Sequence, residues 1–164
     1  MKYLIILRHA AAESNGTDLN RNLTPAGIRD ARAAGRDLEV FLSRQKIPYP
    51  DLILSSPAVR ALQTVRFIRD ILTLPDSIVR IEENLYLPSL NPCLEMIWAC
   101  GDKESLLVCS HNPGMTSLAG YLFHWNGVLP PCGFVLGRLD IQDWKDLAPE
   151  KSELILTGDS SPFL

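Results

Sequence analysis

The chain has 164 residues, of which 46% are hydrophobic and 21% are charged, and its formal net charge is −3. A chain of this length is expected to form one domain, over residues 1–164, that buries a little under about 70% of its unfolded surface without disulfides or metal ions. The small negative charge is atypical of proteins that bind nucleic acid or anionic membranes, so any bound anion must be held by a local cluster of positive groups.

Two further features bear on where the protein acts. No apolar stretch approaches the roughly 18 residues of a membrane span, and the N-terminal apolar run stops at Arg8, too early for a signal peptide. The cysteines at positions 93, 100, 109 and 132 lie in apolar contexts and show no Cys-x-x-Cys spacing. We therefore expect buried, reduced thiols in a cytoplasmic protein that has no membrane partner.

Short β-rich runs alternate with helical periodicity along the chain. Apolar runs predict four strands, over residues 3–8, 51–56, 77–82 and 105–111. Apolar residues spaced by three or four positions predict four helices, which include residues 28–42, 58–72, 90–98 and 115–122. Two more strands, over 133–141 and 153–158, are expected to form an antiparallel hairpin at one edge. Nearly apolar strands separated by helices indicate a three-layer α/β/α sandwich with a mostly parallel central sheet and helices on both faces.

Three dipeptides predict where helices begin: Thr24-Pro25, Ser56-Pro57 and Asn112-Pro113. In each, a good N-cap residue precedes a proline that suits the first helical position. Two of the three follow a strand directly, so their helices should begin at the carboxyl edge of the sheet, where open α/β sheets bind ligands. Because helix amino ends favour anions, this arrangement suggests a phosphate ligand.

Cationic and imidazole side chains follow three of the predicted strands. Arg8 and His9 end the first strand, Arg60 comes shortly after the second, and His111 ends the fourth. An isolated Arg-His pair after a strand is more often solvated than functional. The shared position of all four at strand carboxyl ends instead predicts that they converge on one site.

These segments resemble a known family. The strings "LRHA", "SSPAVRALQT" and "SHNPG", in this order and at these separations, are similar to the motifs of the histidine phosphatase superfamily. The short chain, "RHA" in place of "RHG", and "RNLTPAG" resemble its small branch, the SixA-type phosphohistidine phosphatases. The resemblance covers residues 4 to about 120. It implies a phosphoglycerate mutase-like fold and a metal-independent phosphatase that needs no cofactor.

The resemblance also implies a role for each side chain. His9 would be the nucleophile that becomes phosphorylated, Arg8 and Arg60 would clamp the phosphoryl oxygens, and His111 would hydrogen-bond to them in the transition state. Elementary chemistry agrees, because imidazole attacks phosphorus through an unprotonated nitrogen, and nearby guanidiniums should lower the pKa of His9. A backbone carbonyl at the other ring nitrogen would fix the tautomer. Arg21 is either a third phosphate contact or an arginine paired with Asp18.

A general acid is harder to identify. Relatives that hydrolyse phosphomonoesters place a carboxylate after the second histidine or after the third strand. Asn112 follows His111 and cannot donate in the same way, which leaves Glu83 as the possible general acid, with Glu13 a weaker candidate. Glu83 could equally be part of a solvated acidic pair. Because imidazole has a reference pKa near 6.5, far below that of an alcohol, phosphohistidine needs little acid help. The missing acid therefore favours a phosphoramidate substrate.

Other site chemistries fit the sequence less well. Residues 132–138 match Cys-x5-Arg, the pattern of a cysteine phosphatase loop, but they read as a strand with no helix after it. Cys109 and His111 share a strand face, yet no second pair with zinc spacing accompanies them, so we expect no metal.

Two alternative functions stay open on the sequence alone. A non-catalytic phosphate-binding module could keep the pocket, although it would not need His9. A small-molecule phosphomonoester phosphatase or mutase of the same superfamily would usually carry insertions over the substrate, and the segment between the third and fourth strands is too short for a lid. An open pocket suits a phosphorylated protein, such as a phosphorelay domain or a sugar-transport phosphocarrier.

Overall fold

The computed structural model of the chain describes residues 1–159, in which six strands and four α-helices form one sheet with helices on both faces. The elements in chain order are β1 (Lys2–Arg8), α1 (Pro25–Gln45), β2 (Leu52–Ser55), α2 (Val59–Leu72), β3 (Val79–Ile81), α3 (Leu90–Trp98), β4 (Ser105–Ser110), α4 (Gly114–Phe123), β5 (Phe134–Leu139) and β6 (Ser152–Gly158). Short 3-10 helices lie at Asp18–Asn20, Asp76–Ile78, Glu83–Leu85, Trp144–Asp146 and Pro149–Lys151. Within these residues, no helix combines the length and the apolar character that crossing a bilayer requires.

The sheet has the order β3-β2-β4-β1-β5-β6. The first four strands in that order run parallel, while β5 pairs antiparallel with both β1 and β6. The predicted sandwich, its mostly parallel sheet and the antiparallel hairpin at one edge are therefore confirmed. The Cys-x5-Arg segment lies largely in β5, as expected, and all four cysteines are buried and unpaired.

Alternating side chains of the central strands pack into two separate hydrophobic cores, one on each face of the sheet. Leu4 and Ile6 of β1 pack on the face covered by α3 and α4, while Ile5 and Leu7 pack on the face covered by α1 and α2. Strands buried on both faces need apolar residues at every position, which explains why the runs in β1 and β4 are continuous rather than alternating. The helices thus fix the sheet from both sides and leave its carboxyl edge open.

The structure shortens one predicted strand. Residues 77–82 were expected to form a buried strand, but only Val79–Ile81 pair with β2, and Asp76–Ile78 form a 3-10 turn. Arg80 and Ile81 are exposed. Because β3 is the edge strand, it has a partner on one side only, and a short edge also limits unwanted pairing with other chains.

Two of the three predicted helix starts are displaced. Thr24 caps α1 as expected, since its hydroxyl accepts a hydrogen bond from the N–H of Gly27 over 2.9 Å. By contrast, α2 begins at Val59 and α4 at Gly114, each later than the predicted proline position. Ser56 and Asn112 still accept backbone hydrogen bonds, from Ala58 and Thr116. Ser56 therefore caps the turn that leads into α2, whereas Asn112 accepts from the third residue of α4.

Candidate active site

The candidate site lies at the carboxyl ends of three neighbouring strands. The register pairs Arg8 of β1 with Ser110 of β4, and Ser55 of β2 with Cys109 of β4. The residues that follow these strands therefore emerge side by side. As a result, the rings of His9 and His111 lie 5.0 Å apart, centroid to centroid, with their planes at 62°.

The backbone around His9 is held from several sides. Its N–H donates to the carbonyl of Ser110 over 3.1 Å, and its carbonyl accepts from the N–H of Cys132 over 3.0 Å. The next residue, Ala10, donates its N–H to the hydroxyl of Thr64 on α2 over 3.0 Å. These bonds join β1, β4, α2 and the segment before β5, so the imidazole projects from a rigid base.

One nitrogen of the His9 ring is unprotonated. Nδ1 lies 2.7 Å from the carbonyl oxygen of Ala10 and donates its proton there, which leaves Nε2 unprotonated. A backbone carbonyl therefore fixes the tautomer, as predicted. Burial lowers the pKa of His9 to about 4; the Ala10 bond opposes this shift and the charge of Arg60 adds to it. The arginines lower this pKa in the expected direction, but removal of the ring from water contributes more.

Arg60 joins the two histidines. It lies in the first turn of α2 and is only 1% exposed. Its Nε donates to Nε2 of His9 over 3.3 Å, and its Nη2 donates to Nδ1 of His111 over 3.2 Å. The buried guanidinium of Arg60 therefore contacts both rings, and its Nε lies against the unprotonated nitrogen of His9.

Arg8 approaches the same edge from β1. Its Nη1 donates to the carbonyl of Leu129 over 3.0 Å. Its Nε is buried with no hydrogen-bond partner among residues 1–159, and burial lowers the pKa of the guanidinium. A buried charged donor without a partner is costly, and a bound anion would relieve that cost.

His111 is fixed in a single tautomer. Because a guanidinium can only donate, Nδ1 of His111 must be the acceptor of the bond from Arg60, and the proton lies on Nε2. That Nε2–H donates to the hydroxyl of Ser56 over 2.7 Å. Burial lowers the pKa of His111 to about 3, with smaller contributions from His9 and Arg60. The ring is therefore neutral over the physiological pH range.

The remaining predicted candidates, Arg21, Glu83 and Glu13, make no hydrogen bond with the two histidines. Arg21 donates to the carboxylate of Asp18 over 2.9 Å and to the carbonyl of Glu13 over 3.1 Å, which is the Asp18 pairing that the sequence left open. Glu83 is exposed in a 3-10 turn, and its carboxylate makes no hydrogen bond or ion pair within residues 1–159. Glu13 is exposed as well. Neither carboxylate forms a hydrogen bond with the ring of His9 or His111.

Three residues of the site were missed in the sequence. Ser56 was interpreted only as a helix cap, Asp18 only as a partner for Arg21, and Tyr86 was not considered. The ring of Tyr86 packs edge-on against His111 with centroids 5.5 Å apart, and its hydroxyl donates to Asp18. Asp18 also accepts from Arg60. The spacing Asp18-x-x-Arg21 was the one available signal, and nothing local pointed to Tyr86.

The arrangement suits phosphoryl chemistry. The unprotonated Nε2 of His9 contacts the guanidinium of Arg60, and the charge of Arg8 also acts on the ring. Preorganised donors of this kind can stabilise a loose phosphoryl-transfer transition state. Within residues 1–159, no group of three or more His, Cys, Asp or Glu side chains is placed to hold a metal ion.

Comparison with known proteins agrees with this geometry. The family model described as "Histidine phosphatase superfamily (branch 1)" matches residues 4–85. A SixA protein from Nakamurella multipartitia is 27% identical, with a TM-score of 0.79 over 96% of this chain and 95% of that one. The protein histidine phosphatase SixA complexed with tungstate is 22% identical, with a TM-score of 0.79 over 96% and 97% of the two chains.

More distant structures include phosphatases of small molecules. The mycobacterial glucosyl-3-phosphoglycerate phosphatase is 15% identical, with a TM-score of 0.65 over 93% of this chain and 96% of that one, a likeness of fold alone. A search of curated proteins gives no match.

Proposed function

The chain belongs to the histidine phosphatase superfamily, and on that premise we propose that it is a phosphohistidine phosphatase that acts on a phosphorylated protein. Membership of the superfamily implies phosphatase activity. The observation that carries the finer proposal is the state of His9: Nδ1 donates to the carbonyl of Ala10, and Nε2 is unprotonated and accepts a hydrogen bond from Arg60. This ring can accept a phosphoryl group without losing a proton.

In the first step, Nε2 of His9 attacks the phosphorus atom of the substrate. A bond forms between phosphorus and Nε2, and the bond between phosphorus and the substrate imidazole breaks. If the second nitrogen of that imidazole is protonated, the leaving group departs as a neutral ring. The phosphoryl group moves from one imidazole to another, so the step exchanges one phosphorus–nitrogen bond for a second one.

In the second step, water attacks the phosphorus atom of phosphorylated His9. The bond to Nε2 breaks and the electron pair returns to that nitrogen, while Nδ1 keeps its proton on the carbonyl of Ala10. The attacking water gives its proton to the departing phosphate or to solvent. His9 thereby returns to its starting tautomer.

Arg8 and Arg60 hold the phosphoryl oxygens in both steps. Arg60 presents two donors next to His9, and Arg8 contributes a buried charge with an unused donor. Bidentate guanidinium contacts match the charge that spreads over the three equatorial oxygens.

His111 assists the phosphoryl group in the proposed mechanism after gaining a proton. In the ligand-free structure its Nδ1 accepts from Arg60 and therefore cannot donate. The negative charge of a bound phosphoryl group raises the pKa of a neighbouring imidazole, so phosphate binding should bring a proton to Nδ1. The imidazolium then donates to a phosphoryl oxygen while Ser56 keeps its bond to Nε2.

The surroundings of the site support an imidazole rather than an alcohol as leaving group. An alkoxide needs a proton donor, and neither Glu83 nor Glu13 forms a hydrogen bond with the ring of His9 or His111. Asn112, directly after His111, uses its side chain to hold Thr116 and the carbonyl of Leu129. A phosphohistidine substrate does not require the missing acid.

The open edge of the sheet supports a protein substrate. Only the single helix α3 and a short 3-10 turn lie between β3 and β4, so nothing in that segment encloses a small ligand. A cavity of about 630 Å³ lies nearby, lined in part by Phe41, Trp125 and Val128, but neither histidine lines it. A phosphorelay domain or a sugar-transport phosphocarrier presents its phosphohistidine on such an accessible surface.

The test compares substrates and variants in the presence of a chelator. Wild type and His9→Ala are incubated with a phosphohistidine protein, an aryl phosphate and a sugar phosphate, and phosphate release is followed. Release from phosphohistidine by wild type alone is expected, together with an acid-labile phosphoryl group on the enzyme. Equal turnover of the sugar phosphate would instead favour a phosphomonoester phosphatase. Phosphate binding without turnover of any substrate would favour a binding module.

A further inference from the structure

Asp18 lies at the centre of a cluster that joins two loops at the mouth of the site. Its carboxylate accepts hydrogen bonds from Arg21 over 2.9 Å and from Arg60 over 3.2 Å, and the hydroxyl of Tyr86 donates to the same oxygen as Arg60. We call these four side chains the Asp18 clasp. It connects the loop after β1 with the loop before α3. The mechanism proposed above uses Arg60 but gives no role to the other three side chains.

The clasp holds one particular edge of the Arg60 guanidinium. Nη1 of Arg60 donates to the backbone carbonyl of Asp18 over 2.6 Å, and Nη2 donates to its carboxylate over 3.2 Å. Asp18 therefore supplies two acceptors, its backbone carbonyl and its carboxylate, to the Nη1–Nη2 end of the guanidinium. A guanidinium is rigid, so fixing its end also fixes the direction of its remaining edge.

That remaining edge is the one that faces the reaction. Nε of Arg60 points to Nε2 of His9, and Nη2 also reaches Nδ1 of His111. A phosphoryl group bonded to Nε2 of His9 would meet these two donors together. Without the clasp, the guanidinium could rotate about its side-chain bonds and point its donors elsewhere.

We propose that Asp18 is a positioning residue that presents the Nε–Nη2 edge of Arg60 to the phosphoryl group at His9, an inference that rests on the proposed function. Asp18 does not touch the reacting atoms in this arrangement. It acts through Arg60, and Tyr86 and Arg21 hold its carboxylate in place.

The charge of Asp18 is maintained by the same partners. The hydrogen bond from Tyr86, followed by those from Arg21 and Arg60, holds the pKa of Asp18 below its usual range. Its side chain is 47% exposed, so water screens its charge from the phosphoryl group. The directional hydrogen bonds to Arg60 act at short range and are not weakened in the same way.

The test measures the binding of inorganic phosphate and the rate on phosphohistidine for Asp18→Ala and Asp18→Asn. The control is Asp70→Ala, which removes another exposed carboxylate paired with an arginine, Arg69, at the far end of α2. We expect Asp18→Ala to weaken phosphate binding and to lower kcat/KM by 10- to 100-fold. Asp18→Asn, which keeps an acceptor for Arg60, should lose less, and the control should stay within twofold.

Two further measurements isolate the route through Arg60. In an Arg60→Ala background, adding Asp18→Ala should change phosphate affinity by less than twofold, because the positioned group is gone. In ¹H–¹⁵N spectra, the Nη signals of Arg60 should exchange faster in Asp18→Ala than in wild type, since Nη2 loses its carboxylate acceptor and only the backbone carbonyl of residue 18 still holds Nη1.

The opposite results would overturn the inference. Tighter phosphate binding by Asp18→Ala would mean that the carboxylate competes with phosphate. An equal loss of phosphate affinity on Asp18→Ala, with and without Arg60, would assign Asp18 a role in folding. If the alanine variant does not fold, the same comparison is made with Asp18→Asn. Phosphate affinity and the Arg60 signals need no turnover, so the inference can hold even if wild type does not hydrolyse phosphohistidine.

Discussion

The guanidinium of Arg60 donates from Nε to Nε2 of His9 over 3.3 Å, so the proposed nucleophilic atom is occupied by its own activating neighbour. An incoming phosphoryl group must replace this bond. The replacement is favourable because the guanidinium exchanges a neutral acceptor for a charged oxygen, and charge-assisted bonds are roughly twice as strong. The same contact keeps a proton away from Nε2.

The first prediction concerns the protonation of His9. Because burial lowers its pKa to about 4, the acid limb of kcat/KM should lie near pH 4 rather than near 6.5. An NMR titration of the histidine ring signals checks this, with His9→Ala assigning the resonance. A midpoint near 6.5 for His9 would contradict the buried, neutral ring described above.

The second prediction concerns stability. An unfolded chain protonates His9 and His111 near pH 6.5, whereas the folded chain does so only near pH 4 and pH 3. Between these values the unfolded state binds more protons, so the free energy of unfolding should fall as pH falls from 6.5 toward 4. The slope is at most about 1.4 kcal/mol per pH unit for each histidine.

Urea denaturation across this pH range measures that slope. His9→Ala should reduce it, because one of the two groups no longer titrates. Ser55→Ala, which replaces a buried hydroxyl and removes no titratable group, should leave the slope unchanged. An equal slope in His9→Ala and wild type would show that other groups produce it.

The third prediction concerns the hydroxyl that holds His111. Ser56→Ala removes the acceptor for the Nε2–H of His111 and leaves a buried donor unsatisfied, at a cost of about 1–3 kcal/mol. Activity should fall together with stability. The neighbouring Ser55 is equally buried but donates only to the carbonyl of Ser56, so Ser55→Ala serves as the matched control and should retain activity.

The fourth prediction concerns the contact between α1 and the segment after His9. A Cβ atom on Gly27 would lie 2.2 Å from the carbonyl oxygen of Ala11, so the backbone would have to move. Gly27→Ala should therefore cost about 1–3 kcal/mol in chemical denaturation and lower activity by shifting the His9 loop. A Cβ atom on Gly120, in helix α4, would lie 3.4 Å from the carbonyl oxygen of Trp125, an ordinary contact. Gly120→Ala should therefore leave the free energy of unfolding unchanged or raise it.

The fifth prediction concerns the acid position. Glu83→Gln should hydrolyse phosphohistidine within about twofold of wild type, because Glu83 is exposed and an imidazole leaving group needs little acid help. Tyr86→Phe, three residues along the same loop, removes the hydroxyl that holds Asp18 and should lower kcat/KM. A large loss in Glu83→Gln on phosphohistidine would restore Glu83 as the general acid.

The sequence by itself determined the layered fold and the meeting of four side chains. Continuous apolar runs separated by helical stripes required a sheet buried on both faces, and a parallel sheet brings strand ends to one edge. Arg8, His9, Arg60 and His111 therefore had to emerge near one another. Their catalytic roles stay predictions until the variants above are measured.

Only the tertiary structure decided how these groups are tuned and held. Asp18 and Tyr86 are 68 positions apart in the chain, and no local pattern links a loop after one strand to a loop after another. The main cause of the low pKa of His9 is burial, which depends on packing from all sides and not on neighbouring charges in the sequence. The periodicity of apolar residues determines which faces are buried. Hydrogen bonds between loops that are distant in sequence depend on how the folded elements pack together.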